Sequence, residues 1–326
     1  MARDAFVILG CGWIARRHAE AARRLGIPLI FASRDEGRAR AYAREFRGIA
    51  AFGSYRAALA DPRAVATIVC TPHDRHVADA LDAFAAGRHA LVEKPIARTL
   101  DEADRMLDAA RSAGRVLMVG ENFRFMPAFR HVRALLSAKA LGPLREVHLV
   151  ARGFRRQTGW RLSSSAAGGG ALIDGGIHYV HALRWWGGEV RRVFALSPPR
   201  MLADLGGEDS ISLLAALEGG VVGFVSNSLA TPGVPKLQWA TLTGERGAGF
   251  ADNRGRFVVT RVEGRVRVRV FRRDVRGHEL QLRRFREAID SGTPPESDGV
   301  SGRRDLEVVL AAYRSLAERQ PVDLEG

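Results

Sequence analysis

The stretch that decides the fold is Phe6-Val7-Ile8-Leu9-Gly10-Cys11-Gly12-Trp13-Ile14-Ala15, near the start of a chain of 326 residues. Its four leading apolar residues predict a buried strand, and the amphipathic pattern over about 14–25 predicts a helix. A Gly-x-Gly-x-x-Ala turn joins the two. Glycines allow a tight turn there, and the start of the helix offers free N–H groups to an anion such as a pyrophosphate.

The same alternation of strand and helix continues outward over the N-terminal half. Strands are predicted at Phe6–Leu9, Leu29–Ala32, Ala50–Phe52, Val65–Cys70, Ala90–Val92 and Val116–Val119. Helices are predicted between them at about 14–25, 36–46, 74–86 and 99–113. Such alternation is typical of right-handed βαβ units and a parallel sheet. We therefore predict a doubly wound, dinucleotide-binding Rossmann domain over residues 1–121.

The end of the second strand bears on which dinucleotide is bound. A domain that binds NAD usually has Asp or Glu there, for the 2′-hydroxyl of the ribose. Here Ser33 takes that place, with Arg34 and Arg38 close behind. A hydroxyl and guanidinium groups suit a 2′-phosphate, so NADP(H) is favoured. The alternative, in which Asp35 takes the acid's place and NAD(H) is bound, stays open.

Three later strands end in polar residues at the same edge of the predicted sheet. One leads into Thr71-Pro72-His73, the next into Glu93-Lys94-Pro95, and the last into Glu121-Asn122. Because the carboxyl ends of the strands face one crevice, Lys94 is predicted to lie beside the dinucleotide. Lys94 is one of only three lysines in an arginine-rich chain. An amine, unlike a guanidinium, can exchange a proton usefully.

From about residue 122 the pattern changes to short β-like segments separated by turns. These segments lie near 145–154, 190–196, 211–217, 221–228, 237–243, 256–262 and 265–271. They predict an α+β domain over 122–326 with a mostly antiparallel open sheet. Two helical patterns, at about 278–291 and 300–318, close the chain.

One predicted helix of this second half has a chemically suggestive face. Asp174 and His178 are four residues apart and share that face, and His181 is three further on. Gly175 and Gly176 cost about 1 kcal/mol each inside a helix, which is easier to explain if a ligand or backbone comes close. An acid–base pair is the favoured interpretation, because histidine titrates near neutral pH. A buried structural histidine and a metal site are the alternatives, and no metal is predicted.

Composition excludes several classes of protein. The net charge of +14 comes from arginines scattered along the chain rather than gathered in a stripe, so no nucleic-acid partner is predicted. The sequence has no run of about 18 apolar residues, so no membrane helix is predicted. Cys11 and Cys70 are too few for a disulfide framework or a zinc site, and a cytoplasmic location is expected. They are interpreted as small buried residues, or as a pair that closes under oxidative stress.

The chain resembles the glucose–fructose oxidoreductase / inositol dehydrogenase (Gfo/Idh/MocA) family over essentially its whole length. The matching motifs are Gly10-Cys11-Gly12 with His18, Thr71-Pro72 with His76, Glu93-Lys94-Pro95, Asn122 with Arg124 and Pro127, Gly168 to His178, and the tail Ala312-Tyr313-Arg314-Ser315. Two positions depart from the family's pattern: His73 stands where Asn is frequent, and His181 stands where Asp is frequent.

The resemblance implies an oxidoreductase that transfers hydride between nicotinamide and a hydroxyl or carbonyl carbon of a sugar, cyclitol or related polyol. His178 would take the hydroxyl proton, Lys94 would hydrogen-bond the same oxygen, and Asp174 would orient the pair or bind a neighbouring hydroxyl. Homodimers or homotetramers through the exposed sheet face are also implied. The implied cofactor contacts are Gly10, Gly12, Trp13, Ile14, Ser33, Arg34, Arg38, Thr71, Pro72, His76, Glu93 and Asn122.

The implied substrate contacts are Lys94, Asp174 and His178 together with Arg124, Trp160 and Arg161. Trp160 either stacks on the apolar face of a sugar or lies in the core. Two other functions stay open. One is a glycosidase that cleaves through a transient ketone on tightly bound nicotinamide, which the sequence does not separate from a dehydrogenase. The other is a non-catalytic dinucleotide-sensing regulator, against which the presence of Lys94, Asp174 and His178 argues.

Overall fold

The protein is described by a computed structural model, which covers residues 4–231 and 237–325. Its contacts divide the chain into two units. The first comprises Met1–Glu121 and His278–Arg303, and the second Asn122–Gly277 and Arg304–Gly326. This division differs from the predicted domains 1–121 and 122–326, because a late segment of the chain returns to the first unit. No helix of the described ranges is both long and apolar enough to cross a membrane.

The sheet of the first unit confirms the predicted doubly wound topology. Its strands are β1 (Ala5–Leu9), β2 (Leu29–Ala32), β3 (Ala50–Phe52), β4 (Ala64–Val69), β5 (His89–Glu93) and β6 (Leu117–Gly120). Within the described residues they pair in parallel in the order β3-β2-β1-β4-β5-β6. All five residues of β1 are buried, as expected for a parallel sheet covered on both faces.

The helices are α1 (Trp13–Arg24), α2 (Glu36–Phe46), α3 (Tyr55–Leu59), α4 (His76–Ala85), α5 (Leu100–Ser112), α6 (Pro127–Ser137), α7 (Ser164–Ala167), α8 (Ile177–Gly187), α9 (His278–Ser291) and α10 (Gly299–Glu318). Helices α1, α2, α4, α5, α9 and α10 begin and end close to their predicted positions, whereas α3, α6 and α7 were not predicted. Side chains of Asp35, Ser54 and Thr99 accept backbone N–H groups and start α2, α3 and α5. Phe285 of α9 packs edge-on against Phe6 of β1, which explains why α9 belongs to the first unit.

The second unit has a mixed, mostly antiparallel sheet, as predicted. Its strands are β7 (Leu144–Arg152), β8 (Val190–Leu196), β9 (Ser210–Leu217), β10 (Val222–Ser228), β11 (Leu237–Gly244), β12 (Gly247–Asp252), β13 (Phe257–Val262), β14 (Arg265–Val270) and β15 (Val322–Asp323). Over the described ranges their order is β14-β13-β12-β11-β7-β10-β9-β8-β15, and only β7 and β10 pair in parallel. Helices α6 and α8 pack on this sheet. Buried and exposed residues alternate along the second half of β9, where Leu214 and Ala216 are exposed, as expected for an antiparallel sheet that packs on one face.

Candidate functional site

The turn between β1 and α1 has the form that a dinucleotide requires. Gly10 has φ of 89°, and a Cβ there would lie 2.9 Å from the carbonyl oxygen of Cys70, so glycine lets β1 and the end of β4 approach closely. At Gly12 a Cβ would meet no described atom within 4 Å apart from its own neighbours in the chain, and no side chain caps the start of α1. The open space and the uncapped N–H groups fit a pyrophosphate.

An open cavity lies at the carboxyl ends of β2, β3 and β4. Its volume is about 390 Å³, and it is lined by Arg34, Gly53, Ser54, Tyr55 and Arg75. Two arginines therefore line one space, of which the sequence had indicated only Arg34. Arg75 donates to Asp79 Oδ1 over 2.9 Å, which orients its side chain. The missed signal was the position of Arg75, in the short segment that joins β4 to α4.

The residues after β2 have local partners of their own. Asp35 Oδ1 accepts the backbone N–H of Arg38 over 3.1 Å and so caps α2. Ser33 Oγ accepts the N–H of Asp35 over 3.2 Å. Arg38 lies beside Asp35, with 4.0 Å between Nε and Oδ2, and it does not line the cavity. One oxygen of Asp35 is thus used by the helix cap, which weakens the alternative that Asp35 serves the ribose.

Glu93, the residue before Lys94, forms a buried hydrogen-bonded pair with His18. Glu93 is 5% exposed, and its Oε1 lies 2.7 Å from Nε2 of the fully buried His18. Its Oε2 accepts the N–H of Lys94 over 3.3 Å. Burial alone would raise the pKa of Glu93, but the hydrogen bond and charge of His18 and the charge of Lys94 lower it below its ordinary value. Glu93, predicted as a cofactor contact, therefore has internal partners.

His76 also has internal partners rather than an open face. Its side chain is 1% exposed, with Nδ1 2.8 Å from the Pro95 carbonyl oxygen and Nε2 3.0 Å from that of Thr71. Burial lowers the pKa of His76, and a neutral ring donates to only one of the two carbonyls. His76 thus ties the end of β4 to the turn that follows Lys94, which has a cis Lys94–Pro95 bond.

In the second unit, Asp174 lies in a turn that the sequence did not predict. Residues Leu172–Gly176 form a π-helical turn, and α8 begins only at Ile177. The predicted helix through Asp174 and His178 is present, but its first turn is wider than the expected α-helical turn. A Cβ at Gly176 would lie 2.7 Å from Leu172 Cδ1 and 2.8 Å from Asn227 Nδ2, so a larger residue would force these two side chains to shift. Such single wide turns are frequent at functional sites.

The carboxylate of Asp174 is held by side chains of the segment before α7. Arg161 Nε lies 3.1 Å from both of its oxygens, and Gln157 Nε2 lies 3.4 Å from Oδ2. The Arg161 guanidinium in turn lies 4.3 Å from the ring centroid of Trp160, which is half-buried rather than in the core. Two of the predicted substrate contacts, Trp160 and Arg161, are thus gathered beside Asp174.

His178 is fixed by an aromatic stack. Its ring lies parallel to that of the buried Phe123, with 4.6 Å between centroids and 10° between planes. Phe123 packs edge-on against Phe129 and was not singled out by the sequence analysis. The neighbouring Arg124 instead places its guanidinium 4.8 Å from the ring centroid of Trp185. Asn122, the residue before Phe123, donates through Nδ2 to the carbonyl oxygen of Arg276 over 2.8 Å.

His181 does not join Asp174 and His178. It is buried, and its Nδ1 lies 2.8 Å from Asp305 Oδ2, while Arg184 pairs with the other oxygen of Asp305. Burial would raise the pKa of Asp305, but the charges of His181 and Arg184 lower it. His181 therefore links α8 to α10, and the metal alternative loses one of its three ligands.

Comparison with known proteins matches both units. The profile of an oxidoreductase family with an NAD-binding Rossmann fold (GFO/IDH/MocA) matches residues 5–121, and that of the GFO/IDH/MocA C-terminal domain matches 129–249. Inositol 2-dehydrogenase of Rhizobium meliloti is 30% identical, over 98% of each chain. D-xylose 1-dehydrogenase (NADP(+)) 2 of Haloferax volcanii is 28% identical, over 90% of this chain and 91% of the relative.

A solved structure agrees over the full length. Aldose–aldose oxidoreductase of Caulobacter crescentus, crystallised with glycerol, is 25% identical and superposes with a TM-score of 0.89 over 99% of this chain and 100% of that one. The glycine turn, the Glu93-Lys94-Pro95 turn and the Asp174–His178 segment thus occur within a fold and a sequence pattern shared by dehydrogenases and reductases. The chain belongs to the GFO/IDH/MocA family of oxidoreductases.

Proposed function

We propose that the protein is an NADP(H)-preferring oxidoreductase that interconverts a hydroxyl and a carbonyl group on a sugar, cyclitol or related polyol. One observation carries the proposal: the lysine after β5 and the open glycine turn after β1 lie at the same carboxyl edge of the parallel sheet. Bound nicotinamide would supply the hydride acceptor or donor. The chain's own part is to bind both molecules and to move the hydroxyl proton.

Each candidate catalytic group has chemistry suited to one task. Lys94 would donate a hydrogen bond to the reacting oxygen and stabilise the negative charge that develops there. His178, with its ring plane fixed by Phe123, would take the proton or return it. Both oxygens of Asp174 lie 3.1 Å from Arg161 Nε, which holds the carboxylate in place. Asp174 would therefore bind a neighbouring hydroxyl of the substrate.

The preference for NADP(H) is supported by the cavity that contains Arg34 and Arg75. Two guanidinium groups beside the end of β2 suit the 2′-phosphate, which carries about two negative charges. Ser33 and Arg38 would make further contacts with the same phosphate. Gly10, Gly12, Trp13 and Ile14 would hold the pyrophosphate, and Thr71, Pro72 and Asn122 would line the way toward the nicotinamide.

The substrate class is supported by the aromatic and charged groups of the second unit. Trp160 offers a half-buried ring face beside Arg161, a pairing that suits the apolar face and hydroxyls of a sugar or cyclitol. Inositol and D-xylose, after which two relatives are named, belong to this class of compound. Arg124 would add a further contact.

A homodimer or homotetramer would form through the open face of the second sheet. One row crosses this sheet through directly paired residues of eight strands. The row consists of Phe194, Leu214, Phe224, His148, Thr241, Phe250, Val259 and Val268. Leu214 is 53% exposed and Val268 is 62% exposed, so a second copy of the chain would cover apolar surface here.

The decisive experiment is a panel of sugars and cyclitols incubated with the purified protein and either NADP⁺ or NAD⁺. Absorbance of reduced nicotinamide is followed, and the products are separated by chromatography. We expect net reduction of NADP⁺ with at least one polyol. Glycoside cleavage without net reduction would favour the redox-assisted glycosidase, and cofactor binding without any conversion would favour the regulator.

A further inference from the structure

The helical segment that contains Asp174 begins without a cap from its own sequence. The residues before it are Gly168-Gly169-Gly170-Ala171, which have no side chain able to accept a backbone N–H. The first N–H groups of a helical segment have no partner within the segment and need acceptors from elsewhere. Ala171 is the N-cap residue of the wide turn, and its methyl side chain cannot cap the turn. The acceptors must therefore come from distant parts of the chain.

Two residues, Tyr313 and Glu208, supply these acceptors. Four consecutive N–H groups donate to Tyr313 or Glu208. They are Gly170 N to Tyr313 Oη (3.2 Å), Ala171 N to the Glu208 carbonyl (2.7 Å), Leu172 N to Glu208 Oε1 (2.7 Å) and Ile173 N to Tyr313 Oη (3.2 Å). Tyr313 Oη also donates to Glu208 Oε1 over 3.1 Å, so its donor and both acceptor positions are used.

The glycines before the turn make room for this arrangement. A Cβ on Gly169 would lie 2.5 Å from Tyr313 Oη, and a Cβ on Gly170 would collide with the backbone of Glu208. The carboxylate of Glu208 also lies where the positive end of a helix dipole favours a negative charge. The glycine run and the tyrosine of the C-terminal motif thus belong to one structural device, which we call the Glu208–Tyr313 clamp.

The clamp is placed to control Asp174. The N–H of Asp174 donates to the carbonyl oxygen of Gly170 over 3.2 Å, and the N–H of Gly170 is held by Tyr313. A movement of Gly170 would therefore move the backbone from which the Asp174 carboxylate projects. A misplacement of about 1 Å in a catalytic site can lower the rate about 100-fold.

We infer that Tyr313 and Glu208 are positioning residues for Asp174, which they hold by capping the wide turn from outside. The inference rests on the proposed function only for its effect on turnover. The capping itself is a property of the fold and can be measured without any substrate.

The test compares Tyr313→Phe with Ser315→Ala on the same helix, α10. The hydroxyl of the fully buried Ser315 accepts the N–H of Ala195 over 3.0 Å and donates to the Gln320 carbonyl over 2.7 Å. Both variants lose a buried hydroxyl that bonds backbone groups, and both should lower the melting temperature. Only Tyr313→Phe should lower kcat, by about tenfold or more, with the KM for the dinucleotide unchanged.

Hydrogen exchange of single amides is the second measurement. Tyr313→Phe should speed exchange at Gly170 and Ile173 while Leu172 keeps the protection that Glu208 gives it. Ser315→Ala should leave all three at the wild-type rate. Wild-type exchange at Gly170 and Ile173 in Tyr313→Phe would overturn the clamp. If Tyr313→Phe had the same kcat as Ser315→Ala, the role of the clamp in positioning Asp174 would be overturned.

Glu208→Gln is the second variant and serves if Tyr313→Phe does not fold. Its amide keeps an acceptor oxygen but removes the negative charge, so Leu172 should exchange faster and kcat should fall less than in Tyr313→Phe. A Glu208→Gln protein with wild-type exchange and kcat would contradict the assignment of Glu208. If wild-type protein converts no polyol, the proposed function fails, whereas the exchange data still decide whether the clamp exists.

Discussion

Nε2 of His18 lies 2.7 Å from Oε1 of Glu93; both side chains are buried, and Glu93 directly precedes Lys94 in the chain. The pKa of Glu93 is lower in the folded chain than in the unfolded one. Its contribution to stability is therefore complete above the unfolded value of about 4.3 and is lost as the pH falls through the folded value. This pair should contribute to the acid sensitivity of the protein.

Replacement of Glu93 tests that contribution. Glu93→Ala should lower the free energy of unfolding at pH 7 by about 3–5 kcal/mol, because it leaves a buried partner uncompensated. Glu93→Gln keeps an acceptor and should cost less, with a smaller loss of stability between pH 5 and pH 3 than wild type shows. Urea unfolding across this range measures both. The exposed Glu45, which pairs with Arg16, gives the control Glu45→Gln. Equal acid dependence in wild type and Glu93→Gln would contradict the role of the pair.

The choice of dinucleotide should depend on the two arginines of the cavity. Arg34→Ala and Arg75→Ala should each raise the Kd for NADPH about tenfold or more, because a charge-assisted hydrogen bond contributes about 1.5–3 kcal/mol. The Kd for NADH should change little, since it lacks the phosphate. Fluorescence titration measures both. Arg38→Ala should have a smaller effect, and Arg40→Ala, whose arginine pairs with Glu36 on α2, is the control. A wild-type protein that prefers NADH in kcat/KM would refute the assignment.

Lys94 and His178 should be separable from cofactor binding. Lys94→Arg keeps the charge but changes the donor geometry, so kcat should fall about 100-fold or more while the Kd for NADPH survives. His178→Ala should lose a similar factor, with partial recovery at high pH if proton removal is its only role. Steady-state kinetics from pH 6 to pH 10 and dinucleotide titration check both variants. Near-normal kcat in Lys94→Arg would exclude the proposed role.

The two cysteines should be unreactive. Burial raises the pKa of Cys11 to about 12, partly opposed by the charge of Arg38, and burial raises that of Cys70 well above its ordinary value. Both are free thiols, and the thiolate that attacks an oxidant is disfavoured at each. Native protein at pH 8 should therefore give no reaction with a thiol reagent, and urea should expose two thiols. Loss of both thiols and of NADPH affinity after diamide treatment would instead revive oxidative pairing.

The open sheet face should determine the oligomeric state. Leu214→Arg places a charge on an exposed member of this row and should shift the protein to monomers in sedimentation velocity. Asp108→Arg, on the exposed surface of α5, changes the charge elsewhere and should not. A wild-type protein that sediments as a monomer would rule out this interface.

Periodic pattern was sufficient for most of the fold. The alternation of apolar residues located β1 to β6, and the lysine and glycine motifs followed directly from strand ends. Strand β12 was missed because its sequence, Gly-Ala-Gly-Phe-Ala-Asp, is poor in residues that favour strands, although it pairs with strands on both sides. Helix α6 was also missed, even though Pro127 at its first position is a recognised start signal.

The site was less predictable because its details depend on long-range partners. Arg75 joins Arg34 only because β4 lies next to β1 and β1 next to β2. The wide turn at Asp174 depends on acceptors from residues 208 and 313, which no local pattern reveals. His76, Glu93 and His181 were recognised as polar residues of interest, but their roles follow from Pro95, His18 and Asp305, which contact them in the folded chain.

The return of His278–Arg303 to the first unit has a consequence for the synthesis of the protein. Phe285 of α9 packs against Phe6 of β1, and His278 of α9 packs against His18 of α1. During translation, β1 and α1 therefore lack these packing partners until α9 leaves the ribosome. The nascent Rossmann sheet must therefore wait with apolar surface exposed while residues 122–277 of the second unit are translated. We expect chaperone dependence in the cell, and a chain that ends at residue 121 should be prone to aggregate even though it contains every strand of the first sheet.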